Sequence, residues 1–183
     1  MTSEELNKIF REKGYTLGSV ESFTGGLFAN EITRVPGASH FYKGGLVTYA
    51  TEEKNRILDI PYNDIDKYGV VSEEVALQMA KRGKALLNVD FCISFTGNAG
   101  PEAMEGKPVG LIFIGLAYFD QVEVFPYLLK GSRNDIQKEG VKNALEILSK
   151  KILEKNCKFH GFYLSLHSGH VKRLKSKVKS LGE

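Results

Sequence analysis

The sequence predicts an α/β fold: a single domain of three layers, α/β/α, built on a mixed β-sheet. Three observations predict it. Short apolar runs alternate with amphipathic helical segments through the first half of the chain, the pattern of strands joined by crossover helices. Two strand-like runs, Val109 to Tyr118 and Val122 to Lys130, are separated only by Phe119-Asp120-Gln121, which reads as a hairpin. A long segment then opens at Ser132, and its apolar residues Ile136, Val141, Leu145, Leu148 and Ile152 keep helical spacing.

The elements follow in order. Residues 3–13 read as a helix, with Thr2 or Ser3 as cap, Glu4 and Glu5 in the first turn and Gly14 as the stop. Tyr15 to Val20 is a short strand that runs into Glu21-Ser22-Phe23-Thr24-Gly25-Gly26. A helix from Gly25 to Thr33 follows, ended by Val35-Pro36-Gly37. Lys43 to Tyr49 is the second strand, and a helix starts near Thr51, its candidate cap. Ser72 caps the next helix, which carries Glu73 and Glu74 at its positive end and runs to Leu87. Val89 to Thr96 is a buried strand that ends in the loop TGNAGPEAMEGKP. After the hairpin, Ser132 caps the closing helix, with Asp135 in the capping-box place.

Composition narrows the function classes. The chain has 183 residues, 42% hydrophobic and 26% charged, as in an ordinary globular protein. The amphipathic start lacks the apolar run of a signal peptide, and no stretch is long and apolar enough to span a bilayer, so a cytoplasmic location is expected. The two cysteines, Cys92 and Cys157, show no CxxC spacing and read as reduced thiols, Cys92 in a strand core. Residues 171–183 hold five cations and one acid, +4 of the chain's +3 net charge, which leaves the body at −1. A near-neutral body argues against nucleic acid as the partner. His167-Ser168-Gly169-His170 supplies two metal-ligating side chains without a third, so no metal is expected.

Four constellations could carry chemistry. In Glu21-Ser22-Phe23-Thr24-Gly25-Gly26 a hydroxyl sits at a strand end before a helix, where main-chain N–H groups can hold an anion or an oxyanion; the same residues also serve as a plain cap and turn. Tyr49 ends the second strand and Lys54 lies in the first turns of the next helix, at the strand ends where α/β sheets bind ligands, and a Lys of lowered pKa can activate a Ser; a surface Lys and an edge Tyr fit the same positions. Thr96 and Gly97 open a glycine-containing loop that suits a phosphate or ribose, though it lacks the GxxxxGK[ST] pattern. Arg133 stands in a first helical turn, against the helix dipole, and suits a phosphate or simply solvent.

The order and wording of these segments resemble one family. ESFTGG, ITRVPGASHFYKGGLVTYATEEK, YGVVSEE, ISFTGNAGP, KPVGLIFIGLA and GSR at a helix start are together similar to the CinA C-terminal domain, over about residues 5–155. The resemblance implies a three-layer α/β/α fold and a nicotinamide-nucleotide amidase, which turns nicotinamide mononucleotide into nicotinate mononucleotide and ammonia. It implies a small-molecule nucleotide substrate, a homodimer or higher homo-oligomer, no cofactor and no metal. The domain is expected over 1–158, with a basic extension over 159–183.

The family's nucleophilic Ser maps to Ser22, and the Cys beside it is Phe23 here, which leaves Ser as the nucleophile. Its Tyr and Lys map to Tyr49 and Lys54, 27 and 32 positions after Ser22. The resemblance thus assigns Ser22, Tyr49 and Lys54 to catalysis, Lys54 taking the Ser22 proton directly or through Tyr49. Amides from Thr24 to Gly26 are expected to hold the oxyanion. Thr24, Gly25, Gly26, Thr96, Gly97 and Arg133 are expected to bind substrate. The chain departs from the family pattern at Asn98, where Ile is usual, and at Glu102-Ala103-Met104-Glu105-Gly106, where further glycines are usual. Those acids would repel a phosphate beside them. They favour a second reading, a nucleotide-binding relative without turnover. A third, an accessory protein in competence or DNA repair, draws on the basic tail, and a fourth is the same chemistry on another small amide.

Overall fold

The computed structural model describes residues 2–154. The basic extension expected over 159–183, the domain end at 158, Cys157, His160, His167 and His170 lie outside the described residues. The chain divides into two compact units, Met1–Glu146 and Ile147–Glu183. The second is described over 147–154, which is helical. The first carries the whole sheet and everything below.

The elements are α1 (Ser3–Lys13), β1 (Leu17–Glu21), α2 (Leu27–Thr33), β2 (Tyr42–Val47), α3 (Thr51–Leu58), α4 (Tyr62–Tyr68), α5 (Glu73–Leu87), β3 (Phe91–Gly97), β4 (Leu111–Tyr118) and β5 (Gln121–Leu128). A helix that starts at residue 133 closes the unit. The five strands lie in the order β2-β1-β3-β4-β5. β1 is parallel to both β2 and β3, whereas β4 is antiparallel to β3 and to β5. This is the expected mixed sheet of an α/β protein.

Strand alternation sends side chains to two faces, and each face has its helices. On one face Val20 and Cys92 join Val75 and Met79 of α5, with Leu58 of α3, Ile65 of α4 and Ile60 from the connection between them. Gly83 lets α5 come close, since a Cβ there would lie 2.3 Å from Val20 Cγ2 and 2.9 Å from Cys92 Sγ. On the other face Phe10 of α1 stacks on Phe41 and meets Phe91 edge-on, and Phe28 of α2 packs on Phe95. Cys92 is a buried core residue, and burial pushes its thiol pKa up.

Several boundaries differ from the sequence reading, each for a local reason. The capping box at Ser132/Asp135 forms as expected, and of the two candidate caps of α1 Thr2 serves, in a capping box with Glu5. α2 starts at Leu27 rather than Gly25, because Gly25 and Gly26 take φ of 60° and 98° and make a turn. Thr51 is the first residue of α3, and its neighbour Ala50 occupies the cap position with no side-chain bond. α4 follows Pro61, whose missing N–H costs nothing at a helix start. β1 extends through Glu21, which places a carboxylate at the end of an interior strand, whereas the sequence reading ends the strand one residue earlier.

Candidate active site

The site forms at the carboxyl ends of β1, β2 and β3. The chain leaves β1 for β2 on one side and returns to β3 on the other, so these ends border the crevice in which open α/β sheets take ligands. Main-chain bonds tie the three ends together. Thr48 N–H donates to Glu21 O at 2.8 Å, and Ser22 N–H donates to Phe95 O at 3.0 Å. Gln137 of the closing helix adds a bond from Nε2 to Phe23 O at 2.6 Å.

Ser22 and Lys54 meet here. Lys54 Nζ lies 3.2 Å from Ser22 Oγ and 2.9 Å from Thr48 O. Lys54 belongs to the buried side of α3 with Leu58, one turn on, and only 1% of it is exposed. Burial pulls its pKa down to about 8, against the opposing pull of Glu105 and Glu52. At pH 7 about a tenth of such a lysine is neutral, the form a general base requires, against a far smaller share for an ordinary lysine.

Ser22 opens onto a cleft of about 500 Å³. Phe23, Tyr49 and Arg133 line it, and residues 97–104 form the opposite wall. Arg133 donates from Nη1 to Gly100 O at 2.6 Å and from Nη2 to the Tyr49 hydroxyl at 2.7 Å. The guanidinium therefore bridges the loop after β3 and the end of β2, with donors to spare for a ligand. The Tyr49 hydroxyl faces Arg133, and the Ser22–Lys54 contact is direct, so no relay through Tyr49 is needed.

The other expected binding residues fall differently. Gly97 lines the cleft, and a Cβ there would meet Ile112 at 2.6 Å. Thr96 points into the α5 side, its hydroxyl donating to Val70 O at 2.5 Å. Thr24 is 3% exposed, its hydroxyl has no protein partner, and it does not line the cleft. The amides of Gly25 and Gly26 do not wait for an oxyanion: Gly25 N–H donates to Ser22 O at 3.0 Å and Gly26 N–H to Glu21 Oε2 at 3.0 Å. The N–H groups of Phe23 and Thr24 donate to no protein acceptor among the described residues.

The departures in the loop also resolve. Asn98 staples the loop to itself, with Nδ2 donating to Glu102 O at 3.0 Å and Oδ1 accepting from Gly100 N at 2.9 Å. Glu105 turns away from the cleft and accepts from Val70 N at 2.8 Å and Val71 N at 3.3 Å. Among the described residues, Glu102 alone keeps an acid on the cleft wall. Among the described residues no three His, Cys, Asp or Glu side chains gather as a metal site, and no helix is long and apolar enough to cross a membrane.

The family model of the CinA C-terminal domain matches residues 1–152. The chain belongs to the CinA C-terminal domain family. A protein of Bacillus cytotoxicus with the provisional name competence-damage inducible protein is 45% identical over 148 residues, which are 80% of this chain and 36% of that protein. A protein of Listeria welshimeri with the same provisional name is 42% identical over 154 residues, 84% of this chain and 37% of that one. The chain thus spans little more than a third of these relatives. Among solved CinA structures, one from Klebsiella pneumoniae superposes with a TM-score of 0.80 at 26% identity, over 84% of this chain and 99% of that one. The competence/damage inducible protein of Agrobacterium tumefaciens gives 0.77 at 30% identity, over 81% and 92%.

Proposed function

We propose that this CinA domain is an amidase that hydrolyses the carboxamide of nicotinamide mononucleotide. The observation that carries the reading is the contact between Ser22 Oγ and a buried lysine of lowered pKa at the edge of a nucleotide-sized cleft. Ser–Lys pairs are an established alternative to the Ser-His-Asp arrangement.

Neutral Lys54 takes the Ser22 proton as Oγ attacks the carboxamide carbon. The negative charge that develops on the carbonyl oxygen falls to the N–H group of Phe23, which lines the cleft and has no protein acceptor among the described residues. Protonated Lys54 returns its proton to the leaving nitrogen, and ammonia departs. Water then attacks the Ser22 ester, loses a proton to Lys54, and frees nicotinate mononucleotide and Ser22. Arg133, with unused donors on the cleft wall, is the group suited to the substrate phosphate. A small-molecule substrate, a cytoplasmic location and a homodimer or higher homo-oligomer go with this reading.

A second reading, nucleotide binding without turnover, is favoured by Glu102, an acid on the cleft wall. Incubation with nicotinamide mononucleotide separates the two. The amidase releases ammonia and nicotinate mononucleotide in equal amounts. Saturable binding with neither product would support the second reading and contradict the first.

A further inference from the structure

The residue before the proposed nucleophile is a carboxylate with no access to solvent. Glu21 is 0% exposed, the last residue of the central strand β1, and its side chain shares a face with Ser19. Oε2 accepts from Gly26 N at 3.0 Å and Phe28 N at 3.1 Å, and Oε1 accepts from Ala29 N at 2.9 Å. Ser19 Oγ stands 3.4 Å from Oε1 and 2.6 Å from the Tyr42 hydroxyl. Glu21 does not line the cleft.

A buried charge is tolerated only where hydrogen bonds replace its hydration. Here the replacement comes from the first N–H groups of α2, which a helix leaves without partners. The same bonds fix the turn between strand and helix. Gly26 is anchored to Glu21 and Gly25 to Ser22 O, so the loop that presents Ser22 Oγ to Lys54 is pinned at both ends.

We propose that Glu21 is the positioning residue of the nucleophile turn: its carboxylate, in place of any ligand, closes the amino terminus of α2 and thereby holds Ser22 against Lys54. The kinetic part of this proposal rests on the amidase reading. Its structural part does not. One consequence is that a substrate anion has no place at the Gly25-Gly26 turn and must be met elsewhere in the cleft.

Glu21→Gln tests it at nearly constant volume. Three main-chain donors need two acceptor oxygens, and a glutamine supplies one oxygen and one NH2, which opposes at least one N–H. Amide exchange by NMR and steady-state ammonia release from nicotinamide mononucleotide are measured on the full chain. Protection of Gly26, Phe28 and Ala29 amides is expected in the wild type. In folded Glu21→Gln at least one of them exchanges about tenfold faster while α5 amides do not change. The kcat falls about tenfold or more, with KM within about twofold, as for a misplaced nucleophile. Unprotected amides in the wild type would overturn the cap, even if the variant does not fold. A folded variant with wild-type kcat would overturn the positioning role. A wild type that releases no ammonia refutes the amidase reading, and the exchange rates then still decide the cap.

Discussion

Burial disfavours the charged form of an amine, and among the described residues Lys54 has Ser22 Oγ and Thr48 O in place of its water. Two consequences follow for a group whose pKa falls from 10.5 to about 8. For catalysis, kcat/KM rises about tenfold per pH unit below the midpoint and levels above it, with the midpoint near 8; a stopped assay across pH 6 to 9.5 measures it. For stability, the unfolded chain binds the extra proton between about 8 and 10.5, so unfolding becomes harder as pH rises through that window. Below it the folded state carries a penalty of about 3 kcal/mol. Lys54→Met removes that penalty and leaves Thr48 O without its donor, at about 1 kcal/mol. The variant should therefore be inactive yet more stable at pH 7, with the difference shrinking toward pH 10, by urea unfolding at both pH values. Ser22 and Lys54 were named from the sequence through the family pattern, since a lysine on an apolar helix stripe is a weak signal alone. Glu21 went unread because an acid at a strand end looks like a surface residue until its strand is seen to be central. Thr96 reads as a loop hydroxyl and proves to be a bond across to Val70, which only the tertiary structure shows.

Among the elements, the loop after β3 departs most from the family pattern and gains most from the structure. Its acids do different things. Glu105 clips the loop to the turn before α5: burial pulls its pKa up, but bonds from Val70, Val71 and Lys107 outweigh this and hold it below the usual carboxylate value. The clip needs Gly69, where a Cβ would lie 2.3 Å from Glu105 Oε2. Glu105 also raises the Lys54 pKa through its charge. Glu105→Gln should thus move the midpoint of the pH–rate profile downward and raise KM as the loop loosens; an unmoved midpoint would contradict the electrostatic link. Strands and long helices were legible because their period is written in the apolar residues, as in α5 and β3. α4 was not, since its seven residues hold one buried side chain, Ile65, too few to show a period. The start of α2 was misplaced because two glycines can open a helix or precede it, and φ decides between them.

On the scale of the whole sheet-bearing unit, a mixed sheet brings three strand ends to one crevice, and its helices must sit close enough to exclude water from Lys54. Gly83 on α5 controls one such approach. Gly83→Ala gains about 1 kcal/mol of helix propensity. The new Cβ, 2.3 Å from Val20 Cγ2, forces α5 off the sheet at a cost of about 1–3 kcal/mol. The expected outcome is a protein less stable by up to about 2 kcal/mol, read from urea unfolding; a more stable one would show that the helix moves freely. The fold class is legible from the order of segments alone, and the solved CinA structures named above share it. The basic tail at 171–183 has no counterpart in the match to residues 1–152. In the proposed reaction Ser22, activated by Lys54, attacks an amide of a nucleotide. Ammonia release from nicotinamide mononucleotide by the wild type beside Ser22→Ala and Lys54→Ala tests it most directly. Release by the wild type and a loss of at least about a thousandfold in both variants are expected. Full release by a folded Ser22→Ala would contradict it.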